Sequence, residues 1–194
     1  MANEQAVDAI IERILSEERN LSEYFESEVF EAEFEVAATA VADMIKALGC
    51  MRDSRAAGAI IDVLRVVRNK RGKYGEHIRE EGLKALGKIG GDQAISSIIS
   101  YFRYDELHRV VQDRAIAAIK QIGSPAIGAL AAALGSDDPI VQKNALRALG
   151  EIGDKDAIAH IVPLVKNDNI EVAGSAALLP GRSSTEPSNP RTGP

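Results

Sequence analysis

The side chains most suggestive of chemistry lie in an acidic stretch near the N-terminus, where Glu28, Glu31 and Glu35 recur at helical spacing. Carboxylates three or four residues apart stand on one helix face and could divide acid and base roles or hold a divalent cation. No histidine lies near them in sequence, and a solvated acidic face accounts for the pattern. His77, His108 and His160 are scattered, without the paired spacing that gives a metal two ligands on one helix. Cys50 is the one cysteine; no Cys-His arrangement accompanies it, and it reads as a small buried thiol. A single thiol excludes an internal disulfide and fits a reducing, cytoplasmic setting. The sequence offers no catalytic set, and neither a metal nor a cofactor is expected.

A second cluster is built for binding. The run "RVVRNKRGKYG", residues 65–75, places Arg65, Arg68, Lys70, Arg71 and Lys73 beside Tyr74 and reads as a basic loop between helices. Like charges so close together are best satisfied by carboxylates or phosphates on another molecule, with Arg68 and Arg71 able to form bidentate pairs. A protein partner with an acidic surface is therefore expected. The whole chain carries −6, and residues 1–35 alone carry −9, so the remainder is only mildly basic. That balance lacks the strongly basic stripe of a nucleic-acid binder. No stretch of about 18 uninterrupted apolar residues exists, and no basic start leads into an apolar core. Neither a membrane span nor a signal peptide is expected.

The elements that carry these residues repeat. "ALGKIGGDQAI" at 85–95 returns as "ALGEIGDKDAI" at 148–158. Aligned segments are "IREEGLKALGKIG" at 78–90, "VQDRAIAAIKQIG" at 111–123 and "VQKNALRALGEIG" at 141–153. A weaker copy, "AVADMIKALGCMR", occupies 40–52, and a failing one, "VAGSAALLPGRSS", occupies 172–184. Successive copies start 38, 33, 30 and 31 residues apart, a period suited to one helical hairpin per unit. Within a copy the apolar or small residues Ile78, Gly82, Leu83, Leu86 and Ile89 follow the stripe of an amphipathic helix. Shorter helical runs separate the copies, with Asp53, Asp92, Ser124 and Asp154 expected as N-caps and an Asp-Pro turn at Asp138-Pro139. The glycine closing "ALGxIG" ends each long helix.

The recurring core "V-x-x-x-A-L-x-A-L-G-x-I-G-D" resembles HEAT repeats, of the short type named for phycobilisome lyase subunits, over roughly residues 40–182. The resemblance implies an all-α chain, an α-solenoid of about four to five helical hairpins. Residues 1–35 would form acidic N-terminal capping helices, 36–182 the repeats, and 183–194 a disordered tail. In the cap, residues 4–19 present Val7, Ile10, Ile11, Ile14 and Leu15. The alternating segment 28–36 is read as helix because a lone strand has nothing to pair with. Pro163 would kink its helix as first helices of HEAT-like units often are, and the uncovered C-terminal end invites a homodimer.

HEAT-like solenoids line their concave face with the "ALG" helices. The resemblance thus implies an outward ladder of Arg79, Glu80 and Lys84, then Gln112 and Asp113, then Gln142, Lys143 and Arg147, mixed in sign like a protein-binding groove. The iron-dependent hydroxylases of the family carry His-Glu doublets before the "A-x-x-A-L-G" core. Here Glu80-Glu81, Asp113-Arg114 and Lys143-Asn144 hold those places, which argues against that enzyme. The implied function is a non-catalytic adaptor that holds a partner through its concave face and basic loop. The alternative is a bilin lyase or chromophore-handling subunit.

Overall fold

A computed structural model of the chain describes residues 2–26, 31–70, 72–103 and 109–161, and among these all regular structure is helical. The helices are α1 (Ala2–Glu26), α2 (Glu31–Met51), α3 (Ala56–Val67), α4 (Lys73–Ile89), α5 (Gly91–Ile99), α6 (Arg109–Ile122), α7 (Ile127–Ala133), α8 (Pro139–Ile152) and α9 (Lys155–Ile161). A 3₁₀ turn, Ser100–Arg103, follows α5, and another, Ser124–Ala126, precedes α7.

Chain ends of the long helices follow the repeat. Gly90, Gly123 and Gly153 have φ of 71°, 76° and 69°, which glycine reaches without a Cβ clash. Their N–H groups donate to Leu86, Ile119 and Leu149 at 2.9, 3.0 and 3.1 Å, closing the last helical turn. In the earliest copy Arg52 occupies the same place and still takes φ 55°, so the left-handed exit persists where the glycine does not.

Caps divide. Asp138 accepts from the Ile140 N–H at 2.9 Å with Pro139 in the first helical position, and Asp154 accepts from the Asp156 N–H at 3.0 Å. Asp53 is not the N-cap of α3: Arg55 holds that position, and the Asp53 carboxylate accepts from the Arg55 N–H at 3.0 Å within the turn ahead of the helix. Asp92 and Ser124 do not cap. α5 starts at Gly91, directly after the left-handed Gly90, and so takes Asp92 into its first turn, where a carboxylate suits the positive helix end. The Ser124 hydroxyl instead donates to Asp154, joining two successive turns.

Two rows of helices result. α1, α3, α5, α7 and α9 pack on one another in order; α2, α4, α6 and α8 form the other row, each hairpin closing between the rows. Ile14, Leu21, Ile45, Leu48, Ile60, Leu64, Leu86 and Ile119 are fully buried between them. In α1 the buried line is Val7, Ile14 and Leu21, one every seven residues, while Leu15 is 38% exposed and turns outward. The segment from Glu31 is helical, as the lack of a strand partner dictates. Asp8 pairs with Arg55 at 2.7 Å and ties α1 to the head of α3.

Along the second row the helices touch through small residues. A Cβ on Gly49 would stand 2.7 Å from the Ala85 Cα, and one on Gly87 would stand 3.0 Å from the Ala118 carbonyl. Glycine of one copy thus seats the alanine of the next. The third copy has Lys120 at that place, and its Nζ reaches Glu151 on α8 at 2.8 Å. Pro163, the expected terminal half-repeat and the tail lie outside the described residues, as do residues 27–30 and His108.

Candidate functional site

The residues of the basic run do not share one loop. α3 continues through Arg65 to Val67 and α4 begins at Lys73, so only 68–72 connect them. Extra residues in this copy became helix: α4 starts five residues ahead of Ile78, whereas α8 starts two ahead of Val141. Arg65 is exposed on α3 and pairs with Asp62 at 2.8 Å. Arg68 is half-buried; its Nη2 donates to the Ser100 carbonyl at 2.9 Å and its guanidinium lies 5.3 Å from the centre of the Tyr101 ring. Lys73 Nζ lies 4.5 Å from the Tyr74 ring centre and 3.8 Å from Glu35 on α2. Lys70 is half-buried, and Arg71 lies outside the described residues.

Arg79 was expected to face outward and is instead 5% exposed. Its Nη1 donates to the carbonyls of Val67 and, at 2.7 Å, of Lys70, bracing the turn at the end of α3, where the Val67 carbonyl also accepts from the Lys70 N–H. Gln142 holds the same register in its copy and donates to the Ser136 carbonyl, just after α7, at 2.6 Å. Gln112, the third residue in this register, is buried too. For Arg79 the reason is position along the helix: near its start the long side chain meets the preceding turn, and bonding there removes it from the surface. Arg79 and Gln112 therefore leave the outward ladder, while Gln142 is half-buried.

What remains outward is a strip of alternating charge across α4, α6 and α8. Lys84 contacts Glu80 at 2.9 Å and Glu81 at 2.8 Å; Glu80 in turn pairs with Arg114 of α6 at 2.6 Å. Asp113 pairs with Arg147 of α8 at 2.7 Å, and Arg147 also donates to the Asn144 side chain at 3.3 Å. Lys143 is half-buried on α8. The Lys84 hydrogen bond, with help from Arg114 and His77, holds Glu80 below the ordinary carboxylate range, while Glu81 and Glu80 raise Lys84. Val110, 61% exposed, stands on the same face of α6 as Asp113, Arg114 and Ala117. This arrangement can present carboxylates, guanidinia and an apolar contact together, which suits a protein surface.

Asn144 occupies a doublet position of the hydroxylases, but its side chain is buried and donates to the Phe102 carbonyl at 2.9 Å. Cys50, read as buried, is exposed on α2, with Lys88 Nζ 3.6 Å from its Sγ. Its register faces along the row rather than between the rows. Among the described residues no group of three or more His, Cys, Asp or Glu side chains is placed to hold a metal ion. Nor is any single described helix long and apolar enough to cross a membrane.

Sequence reasoning missed a cleft on the opposite row, between α3 and α5, with a volume of about 510 Å³. One wall is the polar stripe Gln93, Ser96 and Ser97 of α5 and Ser100 of the following turn, whose i, i+3, i+4, i+7 spacing was visible in "QAISSIISYF".

The family model of HEAT repeats matches residues 103–179. This part of the chain is similar to HEAT repeats. It includes α6 to α9, and within it the two copies "VQDRAIAAIKQIG" and "VQKNALRALGEIG" form α6 and α8, the second-row helices of successive hairpins. No curated protein matches the chain significantly. HEAT repeats generally mediate protein–protein interactions, and the match is consistent with a scaffold role.

Proposed function

We propose that the chain is a non-catalytic adaptor, an α-solenoid whose second row, α2 to α8, forms the concave side and holds a partner protein. One observation carries the reading: the pairs Lys84–Glu80–Arg114 and Asp113–Arg147 link three successive helices through charges of alternating sign, with Val110 on the same face of α6. Both signs alternate at short range, so a phosphate backbone finds no continuous positive track, while a protein surface with its own mixed charges can exchange pairs with it. The same register in "IREEGLKALGKIG" and "AVADMIKALGCMR" supports extending the repeat ahead of the matched residues.

The test begins with affinity capture from the native host, followed by binding kinetics of the captured protein. Lys84→Ser, Arg147→Ser and Val110→Ser together are expected to speed its dissociation at least about tenfold while the helical melting curve stays within a few degrees. Unchanged dissociation would remove the second row as the docking face. Absorbance of a co-purified tetrapyrrole would instead favour chromophore handling.

A further inference from the structure

We infer that the cleft between α3 and α5 is a second recognition site, one that takes an extended acidic segment of a protein with Arg68 as the carboxylate anchor. It lies on the first row, whereas the strip of alternating charge lies on the second, and the inference does not depend on what the second row binds.

The cleft exists because the facing positions are short. On α3 the wall includes Gly58 beside Ile61 and Asp62, and opposite it stand the short side chains of Ser96 and Ser97 on α5 and Ser100 in the turn that follows. Both helices are anchored from their other sides by Ile60, Val63, Ile95 and Ile98, so they cannot slide together to fill the gap. A Cβ built on Gly58 meets nothing within 4 Å. About 510 Å³ falls within the usual range of ligand pockets, about 300–1,000 Å³.

The chemistry of the walls selects the occupant. Among the described residues, Arg65, Arg68 and Asp62 are the charged ones lining the cleft, an excess of one positive charge that favours an acidic ligand. Arg68 is held in place before any ligand arrives: Tyr101 lies under its guanidinium, and Tyr101 is itself 2% exposed and fixed by its hydroxyl donating to the Leu64 carbonyl at 3.1 Å. A guanidinium fixed this way loses less freedom on forming a carboxylate pair. The seven helical steps from Gln93 to Ser100 span about 10.5 Å. Extended peptide advances about 3.3 Å per residue, so this row of one amide and three hydroxyls matches about three residues of backbone. Asp62, at the same wall, suits a peptide N–H and opposes a bare phosphate. A protein segment uses both ends of the cleft; an inorganic anion uses one.

The probe is the capped tetrapeptide acetyl-Ala-Ala-Glu-Glu-amide, titrated into the full chain at millimolar concentration and followed by backbone amide chemical shifts. Saturable shifts confined to residues of α3, α5 and the Ser100–Arg103 turn are expected. Gly58→Gln fills the trough from its open side and replaces glycine with a better helix former, so it should weaken binding at least about tenfold without lowering the melting temperature. Arg68→Gln should weaken it similarly. The site is overturned by no saturable shift, by equal shifts from the Ala-Ala-Gln-Gln peptide or from inorganic phosphate, or by shifts that survive Gly58→Gln. The triple variant of the second row must leave these shifts intact, so failure of either face is read separately.

Discussion

Arg79 shows why a residue's type and register do not fix its role. On a helical wheel it follows core Ile78 by 100° and looks outward, yet it lies buried against the end of α3. Nothing in the sequence announces that the carbonyls of Val67 and Lys70 stand within its reach, because that depends on how tightly residues 68–72 fold back. The contrast with Asp138 is useful: its bond to the Ile140 N–H is local, two residues away, and was legible from Asp138-Pro139 alone. A local bond such as this can be read from spacing, though Asp92 and Ser124 show that the helix start must be known too, and bonds that cross a turn cannot. Arg79→Met keeps the buried aliphatic stem and removes the donors, leaving those carbonyls without their charged partner. The expected loss is about 2 kcal/mol of unfolding free energy, in the range measured for hydrogen bonds to charged groups. Urea unfolding checks it; a cost no larger than that of Lys84→Met, an exposed change on the same helix, would mean that Arg79 does not hold the turn.

Between elements, the contacts sort into glycine seams that demand a shape and ion pairs that tolerate change. The repeat's apolar stripe and its closing glycines made the helices legible, and with them the pairing of α4, α6 and α8. The partners in the outward strip were not legible, since Glu80 chooses Arg114 across a helix boundary rather than a neighbour in sequence. Glu80 is the pair member with a pH signature. The Lys84 hydrogen bond, and then the charge of Arg114, lower its pKa in the folded chain. Its contribution is complete above the unfolded value of about 4.3 and is lost as pH falls through the lowered folded value. Glu80→Gln should accordingly cost about 1 kcal/mol or less at pH 7, given its partial exposure, and nothing once the wild-type carboxyl is protonated. Chemical unfolding of both proteins at neutral and strongly acidic pH tests this: a gap that stays constant would show that the charge of Glu80 is not what stabilises.

At the scale of the molecule, the main contacts lie within a hairpin or join neighbouring ones: α1 and α2 meet α3 and α4, and α5 and α6 meet α7 and α8. Stability in such a stack approaches a sum of units and nearest-neighbour interfaces. Damage at one seam should therefore stay near that seam. Gly49→Val is the sharpest probe, because its Cβ would sit 2.7 Å from the Ala85 Cα and the clash is with backbone that cannot swing away. Forcing α2 from α4 should cost about 1–3 kcal/mol, as overpacking does. Native-state hydrogen exchange then locates the effect. Amides of α1 to α4 should exchange faster in the variant, while those of α8, two hairpins away and joined to α6 by Asp113–Arg147 and Lys120–Glu151, keep their protection. Equal acceleration from α1 through α8 would mean that the rows unfold as one cooperative body. In that case a ligand at the α3–α5 cleft would stabilise the second row as well, and the two faces would be coupled through folding itself.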